Sequence, residues 1–229
     1  MSSKIERWWD ADRIKWYERA SEMSSFQEDL SLLLREHLDK DESIIELGTG
    51  LGYQGELLSK MGYDITSYDI DEEAIARARL RTGLDIFKLS DYKDIGKTGD
   101  VVLSVFFGRL TEADNLARIL KIARKRLVYV QSCHRGQRRD LNKKKDSVEK
   151  TMEFLQESGP CHSFTIHKLS FAQPLESKED ALAFITSYYG KDRIGEYMEF
   201  VTKSEDARYP LVLKNEKEFA IFDIIKESL

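Results

Sequence analysis

Four glycines lie within eight residues of the segment IIELGTGLGYQGELL, which runs from Ile44 to Leu58. The residues before them, SIIEL, are typical of a short buried strand. The residues after them, YQGELLSKMG, are typical of a helix that ends at Gly62. Glycines at a strand-to-helix turn let the backbone approach a ligand without a side-chain clash. The pattern therefore predicts a ligand site at the first such turn of an α/β domain.

The glycines fit two motifs that imply different ligands. From Gly50 they spell G-x-G-x-x-G, the dinucleotide fingerprint, and from Glu46 they spell acid-x-G-x-G-x-G. A dinucleotide presents a pyrophosphate to this turn, and a nearby carboxylate would repel it. S-adenosylmethionine presents an ammonium and a sulfonium, which suit a carboxylate at the end of the strand. Glu46 therefore favours S-adenosylmethionine, with a nicotinamide or flavin cofactor as the alternative.

Predicted strands and helices alternate along the rest of the chain. Stretches such as DVVLSVFF and RLVYVQ are apolar enough for buried parallel strands, and helical stretches separate them. The alternation predicts an α/β fold with a doubly wound, mostly parallel seven-stranded sheet and helices on both faces. We expect N-terminal helices before the sheet and a small helical insertion before its last strand. That strand, EFAIFDII, is predicted to be antiparallel and at or near an edge.

The whole chain, 1–229, is predicted to form a single domain. Within it we distinguish an N-terminal helical cap (1–40), a cofactor-binding half (41–132) and a substrate-side half (133–229). The substrate-side half contains the predicted helical insertion, 177–204.

Composition limits the class of protein and its partners. There are 36 basic and 41 acidic residues, for a net charge of −5, which argues against nucleic-acid affinity from charge alone. No apolar run approaches the roughly 20 residues of a membrane helix. The charged N-terminus is unlike a secretory signal, and Cys133 and Cys161 have no metal-like spacing. We expect a cytoplasmic protein that binds no membrane and no metal; its oligomeric state is not predicted.

Three further motifs follow the glycines in order: YDID after the second strand, SDY after the third, and DVVLSVFF as the fourth. Together with ELGTGLG, this set over roughly 26–132 resembles the class I S-adenosylmethionine-dependent methyltransferase family. The resemblance implies a Rossmann-like methyltransferase fold, S-adenosylmethionine as the cofactor, and an enzyme that transfers a methyl group. It does not specify the acceptor.

The resemblance also implies the residues of the cofactor site. The pocket for the methionine end would be formed by Glu46, Gly48, Thr49, Gly50 and Gly52.

Five more residues would complete that site. Asp69 would accept hydrogen bonds from the ribose hydroxyls, and Ile70 would pack on the adenine. Asp91 and Tyr92 would bound the adenine edge, and Ser104 would face the methyl group. From the residues alone, Asp69 could instead be a helix cap and Asp91 a plain turn residue.

A basic segment, SCHRGQRRDLNKKK, follows the fifth predicted strand, where an open sheet presents its ligand crevice. His134 is a candidate catalytic base because histidine titrates near neutral pH; it could equally be a hydrogen-bonded loop residue. Arg135, Arg138 and Arg139 could bind the carboxylate or phosphate of an acceptor, or form a solvated surface. The preceding basic run, Lys121 to Arg126, is predicted to end a helix.

Aromatic residues are concentrated in the N-terminal segment RWWDADRIKWYERA. Such a segment could close over the cofactor, which makes Tyr17 a candidate substrate-binding residue. It could also be a helix docked on the fold by its tryptophans. Tyr188 and Tyr189, in the predicted insertion, could form the other wall of the substrate site.

The leading functional hypothesis is S-adenosylmethionine-dependent methyl transfer to a small, anionic molecule. The turn SVFFGR after the fourth strand lacks the Asn/Asp-Pro-Pro-Tyr-type sequence usual in enzymes that methylate base amines, so nucleic acid is not favoured as a partner. The alternatives are an RNA or protein methyltransferase and a non-catalytic S-adenosylmethionine-binding protein.

Overall fold

A computed structural model describes residues 8–112, 114–133 and 147–226. It contains ten strands: β1 (Ser43–Leu47), β2 (Asp64–Asp69), β3 (Phe87–Leu89), β4 (Gly99–Val105), β5 (Ala123–Ser132), β6 (His162–Ser170), β7 (Gln173–Leu175), β8 (Val201–Lys203), β9 (Leu211–Leu213) and β10 (Glu216–Ile225). The α-helices are α1 (Ala11–Glu22), α2 (Phe26–Leu34), α3 (Tyr53–Lys60), α4 (Glu72–Thr82), α5 (Asn115–Ile122), α6 (Val148–Ser158), α7 (Lys178–Tyr188) and α8 (Ile194–Met198).

Seven strands form the main sheet in the order β3-β2-β1-β4-β5-β10-β6. Strands β1 to β5 are parallel, and β10 is antiparallel to both of its neighbours. The predicted fold class, a mostly parallel seven-stranded sheet with an antiparallel last strand, is confirmed. The carboxyl ends of the five parallel strands lie at one edge of the sheet.

The last strand was predicted to lie at or near an edge of the sheet, and it lies one strand away from an edge. β10 lies between β5 and β6, so β6 forms the edge. Four consecutive residues of β10, Phe219 to Phe222, are buried, which means that both faces of this strand are covered. In β6, exposed and partly exposed residues alternate along most of the strand, as expected at the border of a sheet.

Helices cover both faces of the sheet. Successive residues of β1 point to opposite faces: Ile44 packs in a cluster with α2, and Ile45 packs in a cluster with α5. The glycine turn, in the short β1–α3 connection, therefore follows a strand that is covered on both faces.

A second, three-stranded sheet borders the predicted helical insertion, 177–204: β8 lies within that range, and β7 and β9 lie on either side of it. Its order is β7-β9-β8, and all of its pairs are antiparallel. The helix predicted to continue to Lys203 ends at Met198, because Val201–Lys203 pairs with β9 instead.

The basic run Lys121–Arg126 was predicted to end a helix, but only its first two residues are helical. Helix α5 stops at Ile122, and Ala123 begins β5. Arg126 donates to the buried carboxylate of Glu42 at 2.6 Å, and Arg124 donates to Asp100 at 3.0 Å. Both arginines thus lie in the strand β5 and are paired with acids. The hydrogen bond from Arg124 keeps the pKa of Asp100 well below its usual range.

Among the described residues, no helix combines the length and apolarity needed to cross a membrane.

Candidate functional site

A cavity of about 1180 Å³ opens at the carboxyl ends of β1, β2, β4 and β5. This volume is slightly above the roughly 300–1,000 Å³ that is usual for a site that binds one small ligand. Eight of the residues predicted for the site line it: Tyr17, Glu46, Gly48, Thr49, Gly50, Asp69, Ile70 and Asp91.

The glycine turn has backbone angles that favour glycine. Gly48 has φ +68° and Gly50 has φ +54°. A Cβ on Gly48 would lie 2.1 Å from the Phe107 ring, and one on Gly50 would lie 2.9 Å from the Trp9 ring. The two glycines therefore let aromatic side chains from the N-terminal segment and the β4 turn pack directly on the loop.

Glu46 is buried at the end of β1. Its Oε2 accepts hydrogen bonds from the Thr49 hydroxyl at 2.7 Å and the Ser67 hydroxyl at 2.6 Å. Burial raises the pKa of Glu46, and the neighbouring Asp69 carboxylate adds to this rise. A cation in the cavity would offset the cost of charging this carboxylate, so the chemistry of Glu46 suits an ammonium ligand.

Asp69, the last residue of β2, bonds to the glycine turn that follows β1. Its Oδ2 accepts from the Gly50 amide at 2.7 Å, and its Oδ1 accepts from the Asp71 amide at 2.9 Å. The cap of α4 is Asp71, whose carboxylate accepts from the amides of Glu73 and Ala74, so Asp69 is not the helix cap. Burial raises its pKa. Each oxygen retains capacity for a further donor, such as a ligand hydroxyl.

The next stretch of the cavity wall comes from Ile70 and from the residues after β3. The Ile70 side chain is 42% exposed and lines the cavity. Asp91 caps the 3₁₀ turn Tyr92–Asp94 by accepting from the Lys93 amide. Asp91 is thus a turn residue that also lines the cavity.

Three predicted site residues do not line the cavity. Gly52, with φ +77°, is the N-cap residue just before α3 and lies against Phe87 and Ala78. The Tyr92 hydroxyl donates to Asn115. Ser104 is fully buried, and its hydroxyl donates to the Phe107 carbonyl at 2.8 Å. Ser104 therefore stabilises the turn after β4, and its proximity to the methyl group stays a prediction.

The candidate base His134 and the candidate substrate residues Arg135 and Arg138, with Arg139, lie outside the described residues. Cys133, just before them, is partly buried, and burial raises the pKa of its thiol to about 11. It is a neutral thiol at physiological pH, in keeping with a packing role. Within the described ranges, no cluster of three histidine, cysteine or acidic side chains could hold a metal ion.

The N-terminal aromatic segment both lines the cavity and docks on the insertion. Trp9 and Tyr17 line the cavity and meet edge to face, with ring centroids 5.3 Å apart. Trp16, on another side of α1, is buried against Phe184, and its indole N–H donates to Asp180 at 2.8 Å. The two interpretations of this segment are thus compatible, because they concern different side chains of α1 and of the residues just before it.

The part of the cavity away from the acids is mostly aromatic. Its lining includes Phe106, Phe171, Phe184, Tyr188, Tyr189 and Tyr197. The ammonium of Lys217 also lines it and lies 3.5 Å from the centre of the Phe106 ring. This arrangement suits a small molecule with apolar surface and an anionic group.

Several lining residues were not identified from the sequence. Gln27 lies on α2 among residues that resemble an ordinary polar helix face, and no local signal marks it. Phe107 follows the apolar strand β4, so the FF pair in SVFFGR was an available signal. Lys217 reaches the cavity because β10 lies beside β5, a long-range relationship that local patterns do not reveal.

Solved structures of other proteins share this fold. The magnesium protoporphyrin IX methyltransferase of Synechocystis PCC 6803 with bound S-adenosylhomocysteine is 11% identical, with a TM-score of 0.55 over 93% of this chain and 86% of that one. A candidate methyltransferase from Bacillus halodurans C-125 is 16% identical, with a TM-score of 0.53 over 88% and 100%. A candidate RNA methyltransferase from Pyrococcus horikoshii is 15% identical, with a TM-score of 0.51 over 89% and 83%.

Neither a protein-family model nor a curated protein sequence matches the chain. At identities of 11–16%, the likeness to solved structures concerns the fold. With its strand order, its antiparallel β10 and its glycine turn after β1, the chain has the fold of the class I S-adenosylmethionine-dependent methyltransferases.

Proposed function

We propose that this protein is an S-adenosylmethionine-dependent methyltransferase that acts on a small, anionic acceptor. The observation that carries the proposal is the convergence of Glu46, the Gly48–Gly50 turn, Asp69 and Asp91 on one cavity. These residues come from the carboxyl ends of three strands, β1, β2 and β3. Together they offer one acid for an ammonium, one for a ribose and one for an adenine edge.

The residues present fit this cofactor. Glu46 is a buried carboxylate with a raised pKa, which a neighbouring ammonium would favour in its charged form. Asp69 retains acceptor capacity for ribose hydroxyls while its hydrogen bond to Gly50 fixes the loop. Ile70 presents an exposed apolar side chain to the cavity, on which an adenine would pack.

When bound, S-adenosylmethionine supplies a methyl group that is already activated by the sulfonium. The chain's own task is then to orient the acceptor in line with that methyl group and to exclude water. Phe106, Phe107 and Phe171 line the cavity and present apolar surface for this purpose. A base is required only if the acceptor must lose a proton, and His134 remains the proposed residue for that role.

We propose a small anion as the acceptor because the part of the cavity away from the acids combines aromatic side chains with positive charge. The aromatic part of the cavity carries Lys217 as a cation, and Arg135 and Arg138 follow β5 in the sequence. The similar structure from Synechocystis is a methyltransferase of magnesium protoporphyrin IX, a small-molecule acceptor. The similar structure from Pyrococcus horikoshii, a candidate RNA methyltransferase, supports RNA as the alternative acceptor class.

Two measurements test the proposal. Calorimetry should show binding of S-adenosylmethionine and S-adenosylhomocysteine and no binding of nicotinamide or flavin dinucleotides; the reverse pattern would exclude the proposal. Transfer of a radiolabelled methyl group should then be assayed with panels of small carboxylates, small phosphates, RNA and protein. Turnover only with RNA or protein would assign the alternative acceptors, and binding without any turnover would favour a non-catalytic binding protein.

A further inference from the structure

A chain of buried side-chain amides and hydroxyls ends at Tyr17, on the cavity wall. Gln54 Nε2 lies 3.2 Å from the backbone carbonyl oxygen of Gln27 and 2.8 Å from its side-chain Oε1. Gln27 Nε2 in turn lies 3.0 Å from the Tyr17 hydroxyl and 2.9 Å from the Ser21 hydroxyl. Gln27 and Gln54 are both buried, so these contacts take the place of water.

The backbone carbonyl of Gln27 determines the direction of every hydrogen bond in this chain. A carbonyl oxygen only accepts, so the group of Gln54 that faces it must be the NH₂. The second hydrogen of that NH₂ then goes to Gln27 Oε1, which turns the Gln27 NH₂ toward Tyr17 and Ser21. The Ser31 hydroxyl, 2.7 Å from Gln54 Oε1 and 2.9 Å from the Gln27 carbonyl oxygen, is compatible with this direction because it can donate to either oxygen.

Tyr17 therefore accepts from Gln27, and its own proton must point elsewhere. No hydrogen-bond acceptor for the Tyr17 hydroxyl occurs among residues 8–112, 114–133 and 147–226. Burial raises the pKa of this phenol, so the proton is retained at neutral pH. Because Tyr17 and Gln27 both line the cavity, the Tyr17 O–H is available to a ligand as a donor with a fixed orientation.

The position of Tyr17 indicates which ligand group it meets. Its ring contacts Trp9, which packs on Gly50, and its ring centroid lies 5.9 Å from that of Tyr53, which begins α3. The Glu46 carboxylate is also near enough to raise the pKa of Tyr17. Tyr17 is thus at the Glu46 end of the cavity, where the proposed function places the amino-acid end of the cofactor.

We propose that Tyr17 donates a hydrogen bond to the carboxylate of the cofactor's amino-acid group, and that Gln27 and Gln54 are positioning residues that hold its proton in that direction. An amino acid carries its ammonium and carboxylate on the same carbon, so a site that meets the ammonium with Glu46 needs a donor close by for the carboxylate. This inference rests on the proposed function.

The first test compares two ligands that differ by this carboxylate. Tyr17→Phe keeps the ring contacts and removes only the hydroxyl. We expect it to weaken binding of S-adenosylmethionine on the order of 10- to 100-fold, as for a hydrogen bond to a charged group. Binding of decarboxylated S-adenosylmethionine should be unchanged. An equal loss for both ligands, or no loss for either, would overturn the inference.

The second test turns the Tyr17 proton away from the cavity. In Gln27→Glu, the carboxylate offers no donor, so the Tyr17 hydroxyl would donate to it. We expect a loss of S-adenosylmethionine affinity similar to that of Tyr17→Phe. In a Tyr17→Phe background the same substitution should cause no further loss. A further loss there would show that the new charge acts directly and would contradict a positioning role.

Thermal melting without ligand shows whether each variant is folded. If Gln27→Glu is not folded, the comparison of the two ligands on Tyr17→Phe still decides the inference. If the unmodified protein binds neither ligand, the proposed function itself fails; if it binds both and Tyr17→Phe does not distinguish them, only the role of Tyr17 fails.

Discussion

The Asp69 carboxylate connects β2 to the glycine turn, because its Oδ2 accepts a 2.7 Å hydrogen bond from the Gly50 amide. Its other oxygen accepts from the Asp71 amide, just before α4. One side chain thus orders both connections that border the proposed cofactor site. Its loss should affect the fold as well as the ligand.

We expect Asp69→Ala to weaken S-adenosylmethionine binding by about 1–3 kcal/mol, because the acceptor for the ribose hydroxyls is removed. Unlike the loss of an isolated surface acid, it should also lower the free energy of unfolding without ligand, by about 1–3 kcal/mol, since two amides lose their acceptor. Calorimetry and urea denaturation measure the two effects. The control is Asp64→Ala, at the exposed opposite end of β2, which should change stability by no more than about 0.5 kcal/mol. Unchanged cofactor affinity in Asp69→Ala would refute the ribose role.

Glu46 should make stability depend on pH. Burial raises its pKa in the folded protein above the ordinary value of 4.5. The folded state therefore binds more protons than the unfolded state between these two pKa values. The contribution of Glu46 to stability is complete below about pH 4.5 and is lost as pH rises through the folded pKa. Glu46→Gln should remove this dependence, which urea denaturation across pH would measure; parallel curves for the two proteins would contradict it.

The titration of Glu46 should also affect cofactor binding, but affinity should increase with pH where stability decreases. Only the charged carboxylate attracts an ammonium, so affinity for S-adenosylmethionine should rise as pH increases through the raised pKa of Glu46. Glu46→Gln should bind more weakly and show a flatter profile in calorimetry at the same pH values. An identical pH profile in the variant would assign the dependence to another group.

Gly48→Ala should be costly for two separate reasons. Its φ of +68° strains any residue with a Cβ, by about 1–2 kcal/mol, and the new Cβ would collide with the Phe107 ring, adding about 1–3 kcal/mol. Gly108→Ala is a matched control, because Gly108 has φ +72° and nothing lies within 4 Å of its added Cβ. Chemical denaturation should show a larger loss for Gly48→Ala. Equal losses would mean that Phe107 moves aside freely.

Asp180→Ala should detach α1 from the insertion. The Asp180 carboxylate accepts from the Trp16 indole at 2.8 Å and from Arg19 at 2.7 Å, and Arg19 is almost fully buried. Arg19 keeps a second carboxylate partner, Glu176, at 2.8 Å. The loss of Asp180 should therefore cost about 1.5–3 kcal/mol, as for a hydrogen bond to a charged group, which thermal or urea denaturation would show. The exposed pair Lys15–Glu176 is the control, and Lys15→Ala should cost no more than about 1 kcal/mol. A similarly small loss in Asp180→Ala would show that apolar contacts alone dock the helix.

Acid should weaken the same contact. Burial tends to raise the pKa of Asp180, but hydrogen bonds from the Glu176 amide, Trp16 and Arg19 outweigh burial and hold it below the ordinary value of 3.8. The stability that Asp180 contributes is therefore complete above about pH 3.8 and is lost as pH falls through the lower folded pKa.

Local patterns predicted the features that depend on neighbouring residues. The strand–turn–helix around Gly48 and Gly50 was readable because the glycines, the buried strand and the helix are contiguous. Asp69 followed from the next strand, which is parallel and adjacent. The hydrogen bond from Ser104 to the Phe107 carbonyl could not be predicted, because a hydroxyl near a strand end looks the same in the sequence whether it faces a ligand or bonds to its own turn.

Features that depend on distant pairings were not predictable in this way. Phe219 to Phe222 are four consecutive apolar residues, and both faces of β10 are buried there. Which strands lie beside β10 depends on its pairing with β5 and β6, which are distant in the sequence. Strands of three residues, such as Val201–Lys203, are too short to show a period of two. The burial of Gln27 depends on α1 and α3, whose Tyr17 and Gln54 contact its side chain, and the sequence around Gln27 does not indicate these contacts.

The place of β10 also has a consequence for the order in which the chain can fold. Within the main sheet, β6 pairs only with β10, so residues 162–170 have no partner strand until residues 216–225 have been synthesised. Until then β5 is itself an unpaired edge, next to the apolar surface that Phe219 and Phe222 later cover. A nascent chain on the ribosome would thus expose two strand edges throughout synthesis of the insertion, which is the interval in which aggregation or chaperone binding would be most favourable.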